Sequence, residues 1–160
     1  MNARDALKLS IDMGQTVAMG YVDDLTDADL LRRPTPGCNH INWQLGHCIS
    51  SEQQMIEAVA PGAMPPLPAG FAEKYTKETA TIDDPAKFSN KAELLATAKA
   101  VRAATLAALA KTQDADFDKP TGMAYAPSVG AVFELQGSHW LMHAGQWAVV
   151  RRQLGKPPLF

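Results

Sequence analysis

His139 and His143 stand four residues apart in the stretch GSHWLMHAGQ, residues 137–146. On an α-helix that spacing puts both imidazoles on one face, with Cβ atoms roughly 5–6 Å apart. Ring nitrogens so placed can aim at one point and ligate one metal ion. The chain holds only 4 histidines, and two of them fall within a single helical turn. The bland alternative is a pair of surface imidazoles, or two hydrogen-bonded core residues. Position weighs toward the metal. The pair continues a stripe through Val132, Gln136 and Val150 that should face a helical interior. A buried imidazole must satisfy two ring nitrogens, and the same helix offers only Gln136, Ser138 and Gln146 as polar partners.

A metal site of this kind usually takes a third protein ligand and leaves a position open. The best candidate is His47, in NWQLGHCISSEQ, interior to an earlier helix. His40 lies seven residues before it, about 10 Å away along a regular helix, so the two cannot share one ion. His40 is expected in a frayed first turn, facing solvent or a pocket rim. Gly46 beside His47 would admit the close approach of another backbone. Cys48 points about 100° away from His47 and reads as a small core residue. Cys38 precedes the helix in a turn, with no activating partner visible. Glu52, five after His47, falls off to the side and reads as a solvated surface carboxylate, with a supporting role near the site as the alternative. Glu52, Glu134 and His40 are the candidates for a proton acceptor, and the sequence does not decide among them.

The elements that must carry these residues are helical. Ala6, Leu7, Leu9, Met13, Val17 and Tyr21 recur at spacings of three and four, predicting a helix over 3–22. Thr26 caps a short helix through Leu31, and RPTPGCN breaks it. A second long helix is expected over 39–60 with Asn39 as N-cap, ended by Pro61-Gly62. Asn90 and Glu93 form a capping-box pattern for a third over 90–111. Ser128 caps a fourth over 128–153, and Gly155 after Arg151 and Arg152 closes it. Residues 61–88 and 112–127 are proline-bearing and irregular, either pocket walls or surface excursions. With no strand-like alternation, the expected fold is an all-α bundle of four long helices in one domain, 1–160.

Composition excludes several classes. Hydrophobic residues make up 46% and charged residues 20%, with a formal net charge of -2, so no basic face points to nucleic acid. The two cysteines form neither a CxxC pair nor a disulfide framework. The N-terminus lacks a signal-peptide pattern, and no apolar run reaches the ~20 residues of a membrane span. The expectation is a cytoplasmic protein with reduced thiols.

NHINWQLGH at 39–47, followed by HWLMHAGQ at 139–146 and RRQLG at 151–155, resembles the DinB/YfiT-like superfamily, and more loosely the related thiol-dependent S-transferases and isomerases. The likeness spans the chain in length and helix order. It implies an up-down-down-up four-helix bundle with 61–88 as the crossover between the second and third long helices. It implies a divalent metal, typically nickel or zinc, held by His47, His139 and His143 in an open pocket at one end. It also implies a homodimer and a small-molecule substrate, with a low-molecular-weight thiol as one such partner. His40 is no ligand position in that pattern. The function that follows is a metal-dependent enzyme, a hydrolase or thiol S-transferase, that activates water or a small thiol. The competing readings are a metal- or ligand-binding bundle or stress-related protein without chemistry, and a scaffold whose histidines are structural.

Overall fold

The computed structural model describes residues 1–159. It is mostly helical: α1 Ala3–Asp23, α2 Asp27–Leu30, α3 Ile41–Val59, α4 Lys91–Lys111 and α5 Val129–Gln153. Most helices start where side chains can take the free N–H groups of a first turn. Asn2 with Asp5, Thr26 with Asp29, and Asn90 with Glu93 each form a reciprocal capping box. Ser128 caps α5 by accepting from Ala131 N–H. At the far end, Gly155 adopts φ 70°, Gly155 N–H reaches the Arg152 carbonyl and Lys156 N–H the Arg151 carbonyl, satisfying the last turn.

The start of α3 differs from the sequence expectation. Its N-cap is His40, not Asn39: the His40 Nδ1 lone pair accepts from Trp43 N–H at 3.0 Å. An imidazole nitrogen does here what an Asn oxygen usually does. His40 is 0% exposed, with Nε2 3.1 Å from the Ile82 carbonyl and its ring edge-on to Phe88. It is therefore neither frayed nor solvent-facing. It ties the 61–88 segment to the root of α3.

The second difference is a hairpin where only loop was expected. β1 Pro120–Met123 pairs antiparallel with β2 Ala126–Ser128, joined at the tip by Ala124 and Tyr125. Strands of four and three residues are too short to leave a readable alternation. Residues 61–88 remain irregular apart from single 3₁₀ turns at Ala72–Tyr75, Lys77–Thr79 and Pro85–Lys87.

Helix directions follow from specific contacts. Gly14 of α1 meets Gly137 of α5, and Arg151 of α5 bonds the Tyr21 carbonyl of α1, so the two run the same way. A Cβ on Gly14 would lie 2.6 Å from the Gly137 carbonyl oxygen, so this is backbone-to-backbone packing. Asn42 bonds the Ser89 carbonyl just before α4, and Glu52 pairs with Arg102, so α3 and α4 also run together. Gln44 meets Trp147 while His47 faces His139 and His143, so α3 opposes α5. Trp140, Trp147, Leu45, Ile49 and Leu94 fill one core, and Ile11, Ile56, Leu109 and Phe133 fill a second toward the hairpin end. Among the described residues no helix is long and apolar enough to cross a membrane.

Candidate metal centre

α3 and α5 cross with their histidines facing. His139 Nε2 lies 3.1 Å from His143 Nε2. The His47 ring stands edge-on to both, with centroids 5.2 Å from His139 and 5.6 Å from His143. One nitrogen from each of the three falls within 4.8 Å of the others. A metal–nitrogen bond of roughly 2.0–2.1 Å places neighbouring ligand nitrogens about 3–3.5 Å apart. The α5 pair already has that spacing, and a His47 ring nitrogen lies within 4.8 Å of both. The donor set, three imidazoles, suits a borderline divalent cation. His139 Nδ1 is buried without a partner, which is out of keeping with a pair of ordinary, fully hydrogen-bonded core histidines.

The electrostatics agree. Burial, reinforced by the neighbouring imidazoles, lowers His139 and His143 to about 4 from the ordinary 6.5. Burial alone lowers His47. Desolvation disfavours the imidazolium, and two cations so close would repel. At neutral pH all three rings are neutral, the form in which imidazole ligates.

Each ring is held. The Trp43 indole stacks on His47 with 11° between planes and 5.0 Å between centroids. Trp43 Nε1–H in turn donates to the Thr76 carbonyl at 3.1 Å and the Thr79 hydroxyl at 3.0 Å. His143 Nδ1 lies 3.2 Å from Gln44 Oε1. Gly46, next to His47, does admit a close neighbour, but it is the ring of Tyr75 rather than a backbone: an added Cβ would sit 2.3 Å from it.

The three nitrogens open into a cleft of about 790 Å³ walled by Trp43, Tyr75, Thr76 and Met142. A second recess shares His47 and His139 and is walled by Met55, Leu135 and Tyr125 of the hairpin tip. Both irregular segments therefore border the site.

Other candidate residues fall elsewhere. Glu52 is 0% exposed, not solvated as expected. It pairs with Arg102 at 2.8 Å and accepts from the Thr105 hydroxyl at 2.7 Å and from Trp140 Nε1–H at 2.8 Å. α3 is covered on both this side and the histidine side, so a residue phased away from His47 still ends in core. Cys48 is fully buried, and desolvation pushes its thiol well above the ordinary range; it is packing. Cys38 is half-buried, and its carbonyl accepts from Arg33. Glu134 is exposed and accepts from Ser138. The carboxylate that does line the cleft is Glu73, on the Ala72–Tyr75 turn beside Lys77. Nothing in its sequence neighbourhood singled it out. Gln44 was also missed, although it shares the His47 face of α3, one turn earlier.

Residues 11–147 match the DinB superfamily. The crystal structure of a conserved protein from Enterococcus faecalis superimposes with a TM-score of 0.72, covering 98% of this chain and 99% of that one. The two are 16% identical, so this likeness concerns the fold alone. No curated protein matches the chain.

Proposed function

The chain belongs to the DinB superfamily, and from that premise we propose that it is a metal-dependent enzyme acting on a small molecule at the cleft above His47, His139 and His143. One observation carries the reading: three neutral imidazole nitrogens within 4.8 Å of one another, at the floor of an open cleft. Three nitrogens leave a divalent ion short of its usual four to six donors. Nitrogen donors favour nickel or zinc over magnesium or calcium. Such an ion lowers the pKa of a coordinated water or thiol, which suits hydrolysis or thiol transfer.

The protein's own groups would do the rest. His47, His139 and His143 hold the ion. Trp43 orients His47 and anchors the wall at Thr76 and Thr79. The apolar faces of Trp43, Tyr75 and Met142 receive the substrate body. Glu73 carboxylate oxygens, on the same wall, take up a proton. The competing reading, metal binding without chemistry, draws on the exposure of Glu73, which places the carboxylate of the cleft wall in solvent.

The parallel pairs α1–α5 and α3–α4, with α3 opposed to α5, support an up-down-down-up four-helix bundle in one domain, crossing over through 61–88. Leu9 and Met13 on α1, 57% and 51% exposed, with Leu141 and Val149 on α5, support a homodimer. We place the protein in the cytoplasm, where both thiols stay reduced.

The test is elemental analysis of the purified protein. It is followed by a panel of activated esters and alkyl electrophiles, each with and without a low-molecular-weight thiol. Turnover that His143→Ala abolishes supports the enzyme. Bound metal with no turnover across the panel leaves the binding module.

A further inference from the structure

Gln44 occupies a position in which each polar atom has an assigned role. Its Oε1 accepts from Trp147 Nε1–H at 2.8 Å. An indole nitrogen can only donate, so the atom facing it must be the amide oxygen. Its Nε2 donates to the Asn39 carbonyl at 2.6 Å and to Gln146 Oε1 at 2.9 Å. Flipping the amide would set oxygen against a carbonyl and N–H against N–H, so one orientation survives. That same Oε1 lies 3.2 Å from His143 Nδ1. A neutral imidazole carries one proton, and here it must sit on Nδ1 to donate to Gln44. His143 Nε2 then holds a lone pair directed at the centre.

We infer that Gln44 is a positioning residue that fixes His143 in the Nδ1–H tautomer, so that this ring is ready to ligate while His139 is not. The second half follows from the 3.1 Å between the two Nε2 atoms. In the metal-free protein one of them donates across that gap. His143 Nε2 has no proton to give, so His139 carries Nε2–H and its buried, unpartnered Nδ1 is an unused lone pair. To ligate through Nε2, His139 must lose that proton and gain one at Nδ1, with no net change in charge. His143 needs no rearrangement. A hydrogen-bond partner on the far nitrogen of a ligating imidazole commonly alters metal affinity by roughly 10- to 100-fold.

This inference rests on the metal reading above, but it can be tested apart from it. Long-range proton–nitrogen correlation spectra of metal-free, ¹⁵N-labelled protein assign the tautomers directly. The expected result is Nδ1–H on His143 and Nε2–H on His139. Adding zinc should leave the first unchanged and convert the second. Gln44→Leu should lower zinc affinity by roughly 10- to 100-fold in chelator competition. Among folded variants, Gln44→Glu, which keeps the acceptor facing His143 although its second oxygen meets the Asn39 carbonyl, should bind zinc more tightly than Gln44→Leu. Nε2–H on His143 in the metal-free wild type overturns the inference, as does zinc binding by folded Gln44→Leu as tight as wild type. If the wild type takes up no zinc, the metal reading fails by itself, and the metal-free spectrum still decides the role of Gln44.

Discussion

Trp43 and His47 lie one turn apart on α3 with their rings nearly parallel, 11° between planes, while the Trp43 indole N–H reaches across to Thr76 and Thr79. One side chain therefore links a candidate ligand to the wall of the cleft. Replacing it should loosen both. In Trp43→Leu, amide exchange should rise across residues 72–80 and zinc affinity should fall, since His47 loses its stacking partner. Unchanged exchange in that segment would show that Tyr75, together with Arg33, which donates to the Ala80 carbonyl at 3.0 Å, holds the wall without it.

The pH response follows from the lowered histidines. His139 and His143 titrate at about 4 in the folded protein and at 6.5 ordinarily. Between those values the unfolded chain binds more protons, so the stability of metal-free protein falls as pH drops from about 6.5 toward 4. Above that window these two groups contribute no pH dependence. Metal should be retained to about pH 5 and lost approaching pH 4, because the rings stay neutral further into acid than ordinary imidazoles. Thermal unfolding of metal-free protein at pH 7.5 and 5.0 measures the first effect, and the His139→Gln/His143→Gln variant should reduce it, leaving the share of His47 and His40, which burial also lowers. Metal content across the same range measures the second.

Glu52 and Arg102 form an ion pair with almost no exposure on either side. Removing one partner leaves an uncompensated buried charge, at a cost of roughly 3–5 kcal/mol. Glu52→Gln and Arg102→Met should each destabilise by that order in denaturant unfolding. The double variant should be much closer to wild type. Metal affinity of the folded single variants should change little, since neither residue reaches the histidines.

Gly46→Ala should disturb the site without touching a ligand. Its new Cβ falls 2.3 Å from the Tyr75 ring, and that ring is anchored by Ser89 N–H donating to the Tyr75 hydroxyl at 3.0 Å. Overpacking of this kind costs about 1–3 kcal/mol. Gly46→Ala/Tyr75→Leu should recover part of it. Equal stability of Gly46→Ala and wild type would mean that the crossover moves freely over α3.

Much of the helical framework was legible because caps and stops are local. Asn90 with Glu93, Ser128 and Gly155 each act within a few residues of themselves. His139 and His143 were legible as candidates because spacing on one helix implies a shared face, and His47 because it is interior to an earlier helix. His40 was misread because an imidazole cap depends on the Ile82 carbonyl and Phe88, forty or more residues away. Glu52 was misread because its burial depends on Arg102 and Trp140, which arrive from two other helices. Gln44 and Glu73 matter only through what they face after folding. The hairpin at 120–128 was missed because its two short strands find each other mainly through their turn.

The proposed centre is one divalent ion held by His47, His139 and His143. X-ray absorption on the purified protein, with metal content measured on the same sample, tests it most directly. The expected result is about one ion per chain, three imidazole nitrogens at roughly 2.0–2.1 Å for zinc, further exchangeable donors, and loss of the ion in His143→Ala. Protein that binds no ion when supplied with nickel or zinc, or that binds it equally well after all three histidines become alanine, would contradict the claim.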